Sequence, residues 1–173
     1  NQLIKVGKSL AVTKKLITEI DGRKKDLEDN FRVQIPDLNF QKVLIDKYKI
    51  DVVDGFVEYK SIKGITEIIC VGKCIGSLKG IEYFTSLKFL WCTNNKIISL
   101  DISNNTKLEN LQCGENLLSF LDVSNNVNLK RLDCDINKLK RLDVSQNVAL
   151  EKLYVGGHES LIKEIDLSTN INL

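Results

Sequence analysis

The chain has 173 residues, 43% of them hydrophobic and 28% charged, a composition that can bury a core and excludes a disordered tail. Its 25 Lys and Arg against 23 Asp and Glu leave a net charge of +2, too small a basic excess for a general nucleic-acid or membrane-surface binder. No apolar run approaches the roughly 18 residues that mark a membrane-spanning helix.

The sequence contains no Met, so Asn1 is not a translation start, and no charged-then-apolar leader opens it. We therefore expect Asn1 to Leu173 to be a piece of a longer protein. Residues 1–31 read as an N-terminal helix and linker. Leu3, Val6, Leu10, Leu16, Ile17 and Ile20 recur at helical spacing, with Gly7 interrupting early. Asp21 to Asn30 then mixes both signs of charge, as a solvated linker or helix face does. This helix either docks on the next segment of the chain or connects to another domain.

Residues 32–64 predict a helical cap. Pro36 suits the first turn of a helix, and Phe40, Leu44 and Tyr48 then fall on one face. Ile50 to Val57 has the outline of a decayed EF-hand loop around Gly55, with Asp54 at a ligand position. Ile50, Val52 and Ser61 stand where oxygen-rich residues belong, so we expect a turn and no calcium there.

From Leu87 the chain reads LKFLWCTNNKIISLDISNNTK, LENLQCGENLLSFLDVSNNVN and LKRLDCDINKLKRLDVSQNVA, three blocks of 21 that superimpose without a gap. Apolar residues recur at block positions 1, 4, 11, 14 and 16, Cys at 6 and Asn at 9, a spacing no helical or heptad period generates. The regular repeats are 87–107, 108–128 and 129–149. An atypical first repeat, 65–86, and an atypical last repeat, 150–172, flank them, the latter carrying two extra residues around Gly156 to Glu159. Terminal repeats are commonly irregular.

This shared pattern resembles the leucine-rich repeat in its short, Cys-containing bacterial form, over residues 65–173. The resemblance implies an α/β curved solenoid with a parallel sheet on its concave face. The stretches IPDLNF from Ile35 and GIEYFTSL from Gly80 also resemble the N-terminal region of such proteins, which implies that the helix of residues 32–64 covers the open end of the solenoid. The alternation of a strand agrees: Leu90 and Cys92 point inward, Phe89 and Trp91 outward.

Three columns arise from the register. Asn95, Asn116 and Asn137 stand where the chain leaves the strand, and we read them as bonding turn backbone; Lys73 replaces Asn in the first repeat, and the insertion leaves His158 or Ser160 as the equivalent in the last, so we expect the ladder to stop at both ends. Asp101, Asp122, Asp143 and Asp166, each two residues before a Ser, suit local turns better than a calcium ladder. Cys70, Cys92, Cys113 and Cys134, continued by Val155, form an inward column of free buried thiols: zinc needs ligands converging on a point, and a disulfide needs closer Cβ atoms than in-register parallel strands give.

His158 is the single histidine, and its repeat carries Val155 at the Cys position, so no Cys–His nucleophile pair arises. With no P-loop, dinucleotide fingerprint or G-x-S-x-G elbow, we expect no enzyme and no cofactor or metal. The expected function is protein binding on the concave face. Ile69, Phe89 and Trp91 would be its apolar end, and Arg131, Asp133, Lys152 and Tyr154 its polar side. The competing reading of the apolar end is that the cap or the first helix folds over it. The alternatives for the whole are a structural spacer without a ligand and, more weakly, carbohydrate binding by Trp91 and Tyr154, about 14 Å apart on three strand spacings. We expect a monomer with a protein partner, no nucleic acid and no membrane insertion. Free cysteines favour a cytoplasmic location, whereas the family resemblance implies the cell surface or secretion.

Overall fold

The computed structural model describes residues 13–20, 22–23, 30–157 and 161–173. Residues 13–20 form a helix, α1, and all of them are exposed, including Leu16, Ile17 and Ile20. The described part of the expected first helix therefore buries no apolar face. Leu3, Val6 and Leu10, and most of the expected linker, lie outside the described residues.

The segment ahead of the repeats is a helix laid against a hairpin. Strand β1 (Arg32–Gln34) pairs antiparallel with β2 (Phe56–Glu58), a pairing that strands of three residues do not announce in sequence. The chain doubles back into β2 through Val53–Phe56, where Asp54 and Gly55 carry φ of 53° and 79°. Two successive left-handed residues match a type I′ turn, for which Asp-Gly is a preferred pair. The EF-hand-like stretch is thus a hairpin turn.

Helix α2 (Leu38–Tyr48) corrects the expected start. Asp37 is the N-cap, its Oδ1 accepting from the amides of Asn39 and Phe40 at 2.9 and 3.0 Å, and Pro36 stands outside the helix rather than in its first turn. Proline has no side-chain acceptor for those unpaired amides, whereas Asp does. The second carboxylate oxygen of Asp37 accepts from Gly76 and Ser77 amides at 2.8 and 3.1 Å, so one side chain both starts the helix and ties it to the first repeat. A short helix α3 (Tyr59–Ile62) leads into the repeats.

Each repeat supplies one three-residue strand: β3 (Glu67–Ile69), β4 (Phe89–Trp91), β5 (Asn110–Gln112), β6 (Arg131–Asp133) and β7 (Lys152–Tyr154). They stack in sequence order as one parallel sheet, β3-β4-β5-β6-β7. The central residues Ile68, Leu90, Leu111 and Leu132 are fully buried, and the cysteine two places on follows them inward. No repeat buries this face alone; the neighbouring turn, about 4.8 Å away, completes it. The resulting core is continuous from Val33 through Leu150, so helix, hairpin and solenoid share it. Phe40 and Phe84 meet within it at a ring separation of 6.3 Å.

Two ladders of Asn hold successive turns together. Asn116 Oδ1 accepts from the Ile97 amide at 3.0 Å, and its Nδ2 donates to the carbonyls of Cys92, Cys113 and Gly114. Asn137 repeats this one turn on, with Leu118, Cys113, Cys134 and Asp135. Asn95 does so one turn earlier, accepting from Lys73 and Ile75. The expected C-terminal stop of the ladder, at the ambiguous position of His158 or Ser160, lies outside the described residues. A second buried column, Asn105, Asn126, Asn147 and Asn170, donates to two carbonyls of the preceding turn at every step. The Asp column makes local turns: Asp101, Asp122, Asp143 and Asp166 each accept from the amide of the Ser two residues on.

Strand β3 is the N-terminal edge of the sheet, and α2 covers its exposed backbone. The Ile69 amide donates to Tyr48 Oη at 2.7 Å, Lys47 Nζ approaches the Ile69 carbonyl at 3.5 Å, and Asn39 Nδ2 donates to the Cys74 carbonyl. An uncovered edge would template pairing with other chains. Tyr48→Phe keeps the ring but strips the acceptor from the Ile69 amide. Chemical denaturation should record a loss of about 1–2 kcal/mol, and an unchanged midpoint would mean that solvent serves that amide equally well.

Candidate functional site

The outward positions of the five strands form two straight columns. One runs Glu67, Phe89, Asn110, Arg131, Lys152, and the other Ile69, Trp91, Gln112, Asp133, Tyr154, each residue the direct register partner of the next. Parallel in-register pairing puts like positions side by side, so any chemistry on this face is arranged by repeat number.

Ile69, Phe89 and Trp91 come together at the N-terminal end, on β3 and β4, all half-buried. The described part of α1 is exposed along its length and gives them no cover. The Trp91 indole Nε1 is buried without an acceptor among the described residues. Arg131, Asp133, Lys152 and Tyr154 come together at the other end, on β6 and β7. There the Arg131 guanidinium lies over the Tyr154 ring, 4.5 Å from its centroid. That cation–π contact holds two flexible side chains in one orientation. The two groups are not contiguous: β5 separates them with Asn110 and Gln112, which bond each other at 3.3 Å.

Charge beside these columns is organised along the stack. Glu109 takes Lys88 at 3.2 Å on one side and Lys130 at 3.4 Å on the other, and hydrogen bonds from Lys88 and then Lys130 hold its carboxyl below the usual range. Past the strand end, burial and then the charge of Asp133 push the Asp135 carboxyl up. Gly114 sits against this pair, since a Cβ there would lie 2.9 Å from Asp133 Oδ1. Among the described residues no three His, Cys, Asp or Glu side chains gather to hold a metal ion, and no helix is long and apolar enough to cross a membrane.

A groove of about 420 Å³ opens where α2 meets the first repeat, lined by Lys42, Val43, Asp46, Lys47, Ile69 and Lys73 among others. Ile69 belongs both to this groove and to the outward sheet column. Sequence reasoning misses the groove because its walls come from segments far apart in the chain. The one signal for it is Lys73, a lysine where the repeats place their ladder Asn.

Behind the sheet, Cys70, Cys92, Cys113 and Cys134 form a buried column of free thiols, while Cys74 is free and exposed. Burial pushes the Cys70 and Cys134 thiols up to about 12, and Cys92 and Cys113 well above their ordinary value. They therefore stay protonated and unreactive at neutral pH.

No protein-family model matches the chain. Internalin J of Listeria monocytogenes serotype 4b is 37% identical over 77 residues, which make up 44% of this chain and 8% of that protein. The solved functional domain of InlJ from Listeria monocytogenes, described as including a cysteine ladder, superposes with a TM-score of 0.77 at 35% identity. That match covers 85% of this chain and 33% of the InlJ domain, so the chain spans about a third of the solved relative. The internalin InlF of the same species superposes at 0.62 with 24% identity, over 80% of this chain and 47% of that one, and shares the fold.

The buried thiol column predicts a simple titration. In the native protein at neutral pH a thiol-specific chromogenic reagent should modify Cys74 rapidly and the four column cysteines only after unfolding. Rapid reaction of more than one thiol would mean that the column is open to solvent. With repeat length, thiol column and superposition in agreement, the chain is a bacterial leucine-rich-repeat protein of the short, Cys-containing type.

Proposed function

We propose that this chain is a non-catalytic module that binds a protein partner on the concave face of its sheet. The observation that carries the reading is the register itself. Ile69, Phe89 and Trp91 stand side by side on adjacent strands of a sheet held by a continuous core, facing outward and only half-covered. A rigid apolar cluster with aromatic members supplies the kind of anchor that carries most of the energy in protein interfaces. The polar end, with Arg131 fixed over Tyr154 and Asp133 and Lys152 beside it, would set orientation and exclude wrong partners.

The four buried thiols support a non-catalytic reading, since their raised pKa values withhold the thiolate that a nucleophile needs. Carbohydrate binding by stacked rings is disfavoured, because the Tyr154 ring already carries the Arg131 guanidinium and Trp91 lies three strands away.

Trp91→Ala separates binding from scaffolding. The variant should keep a cooperative thermal transition within a few degrees of the parent and weaken the protein partner about tenfold or more, a loss of about 1.4 kcal/mol or greater. Undiminished affinity would remove Trp91 as an anchor, and a collapse of the transition would make it a structural residue.

A further inference from the structure

The apolar anchor does not stand alone: it opens directly into the groove between α2 and the first repeat. Ile69 is the shared wall, and Val43, buried beneath the helix, provides an apolar floor. Around that floor stand Lys42, Lys47 and Lys73, all exposed, against one carboxylate, Asp46. Lys47 leans on its own helix and edge strand, 5.5 Å from the Tyr48 ring centroid and 3.5 Å from the Ile69 carbonyl. The ammonium groups of Lys42 and Lys73 have no ion pair or hydrogen bond among the described residues.

On the sheet's flank one pair of lysines is neutralised within the repeats. Lys88 and Lys130 share Glu109, which neutralises that column internally. Around one apolar floor, by contrast, three lysines stand together at the groove. Its volume, about 420 Å³, suits a few side chains rather than a single small ion.

Resting on the concave-face reading, we propose that the protein partner presents an extended segment with two features. An aromatic or aliphatic side chain seats on Ile69, Phe89 and Trp91, and neighbouring Asp or Glu side chains enter the groove and meet Lys42, Lys47 and Lys73. Charge complementarity selects an acidic segment at the groove, where a basic one would face Lys42, Lys47 and Lys73 with Asp46 in return and Glu67 beside Phe89 at the edge of the anchor.

The test pans a random dodecapeptide display library on the intact chain, then measures the enriched peptides by fluorescence anisotropy. Binding is compared between the parent, Lys42→Glu/Lys73→Glu and Phe89→Ala/Trp91→Ala. The lysine pair makes no contacts that the fold depends on, so its thermal transition should match the parent's. We expect enriched peptides to combine an aromatic or aliphatic residue with several acidic ones. Their affinity should fall about tenfold or more in each variant, and fall steeply as salt screens the lysines.

Peptides that need Phe89 and Trp91 but carry no acidic residues, or that bind the lysine variant undiminished, would overturn the acidic-segment proposal while leaving the concave-face reading in place. Enriched peptides indifferent to Phe89→Ala/Trp91→Ala, or no enrichment at all, would overturn both.

Discussion

The structure depends on one recurring interaction, the buried Asn amide that joins each turn of the solenoid to the one before it. Where the chain leaves a strand, its backbone loses its sheet partners and would be buried with open valences. Asn95, Asn116 and Asn137 fill that gap with an acceptor and a donor on a single short side chain. The residue just before each of them is left-handed: Asn94 at φ 57°, Glu115 at 53° and Ile136 at 49°. A β-branched residue in that region is strained, and it persists because the amide beside it fixes the turn. The same turn is left-handed at Gly72 and Gly157, where glycine meets the requirement without strain. The second ladder, from Asn105 to Asn170, stitches the other side of each turn with donors alone, since the Oδ1 atoms there are buried without partners among the described residues.

The consequence for function is a division of labour between faces. Inward positions are committed to Leu, Ile, Cys and Asn by packing between turns, and the cysteine column is part of that commitment rather than a reactive centre. Outward positions of the sheet carry no such obligation. There the composition changes from strand to strand, from Ile and Trp at β3 and β4 through amides at β5 to charged residues and Tyr at β6 and β7. A scaffold that repeats and a surface that does not is the physical basis on which the proposed binding rests. The helix and hairpin ahead of the repeats close the sheet's first edge through Tyr48 and Asp37 and add a lysine-lined groove beside the apolar end.

Most of this is legible in the sequence because repetition converts a weak local signal into a strong one. A three-residue strand such as Asn110–Gln112 says little by itself, but five of them in one frame define the sheet, its register and both outward columns. The hairpin of Arg32–Gln34 with Phe56–Glu58 has no such reinforcement and stays hidden. At the start of α2, the preference of Pro36 for a first turn misleads when weighed without the stronger capping chemistry of Asp37 next to it. The second Asn column is visible as a recurring letter, yet its bonds run to carbonyls a full turn back, which spacing alone does not reveal. The groove is hidden for the same reason: Lys42 and Lys73 meet only because α2 docks on the first repeat.

Native-state hydrogen exchange on Asn116→Ala tests the central role of the amide ladder most directly. Removing that side chain strips the acceptor from Ile97 and the donor from Cys92, Cys113 and Gly114 at once. The expected result is a loss of about 3–5 kcal/mol in global stability, with protection falling together in the repeats on both sides. Faster exchange confined to the turn at residue 116, with global stability within about 0.5 kcal/mol of the parent, would contradict it.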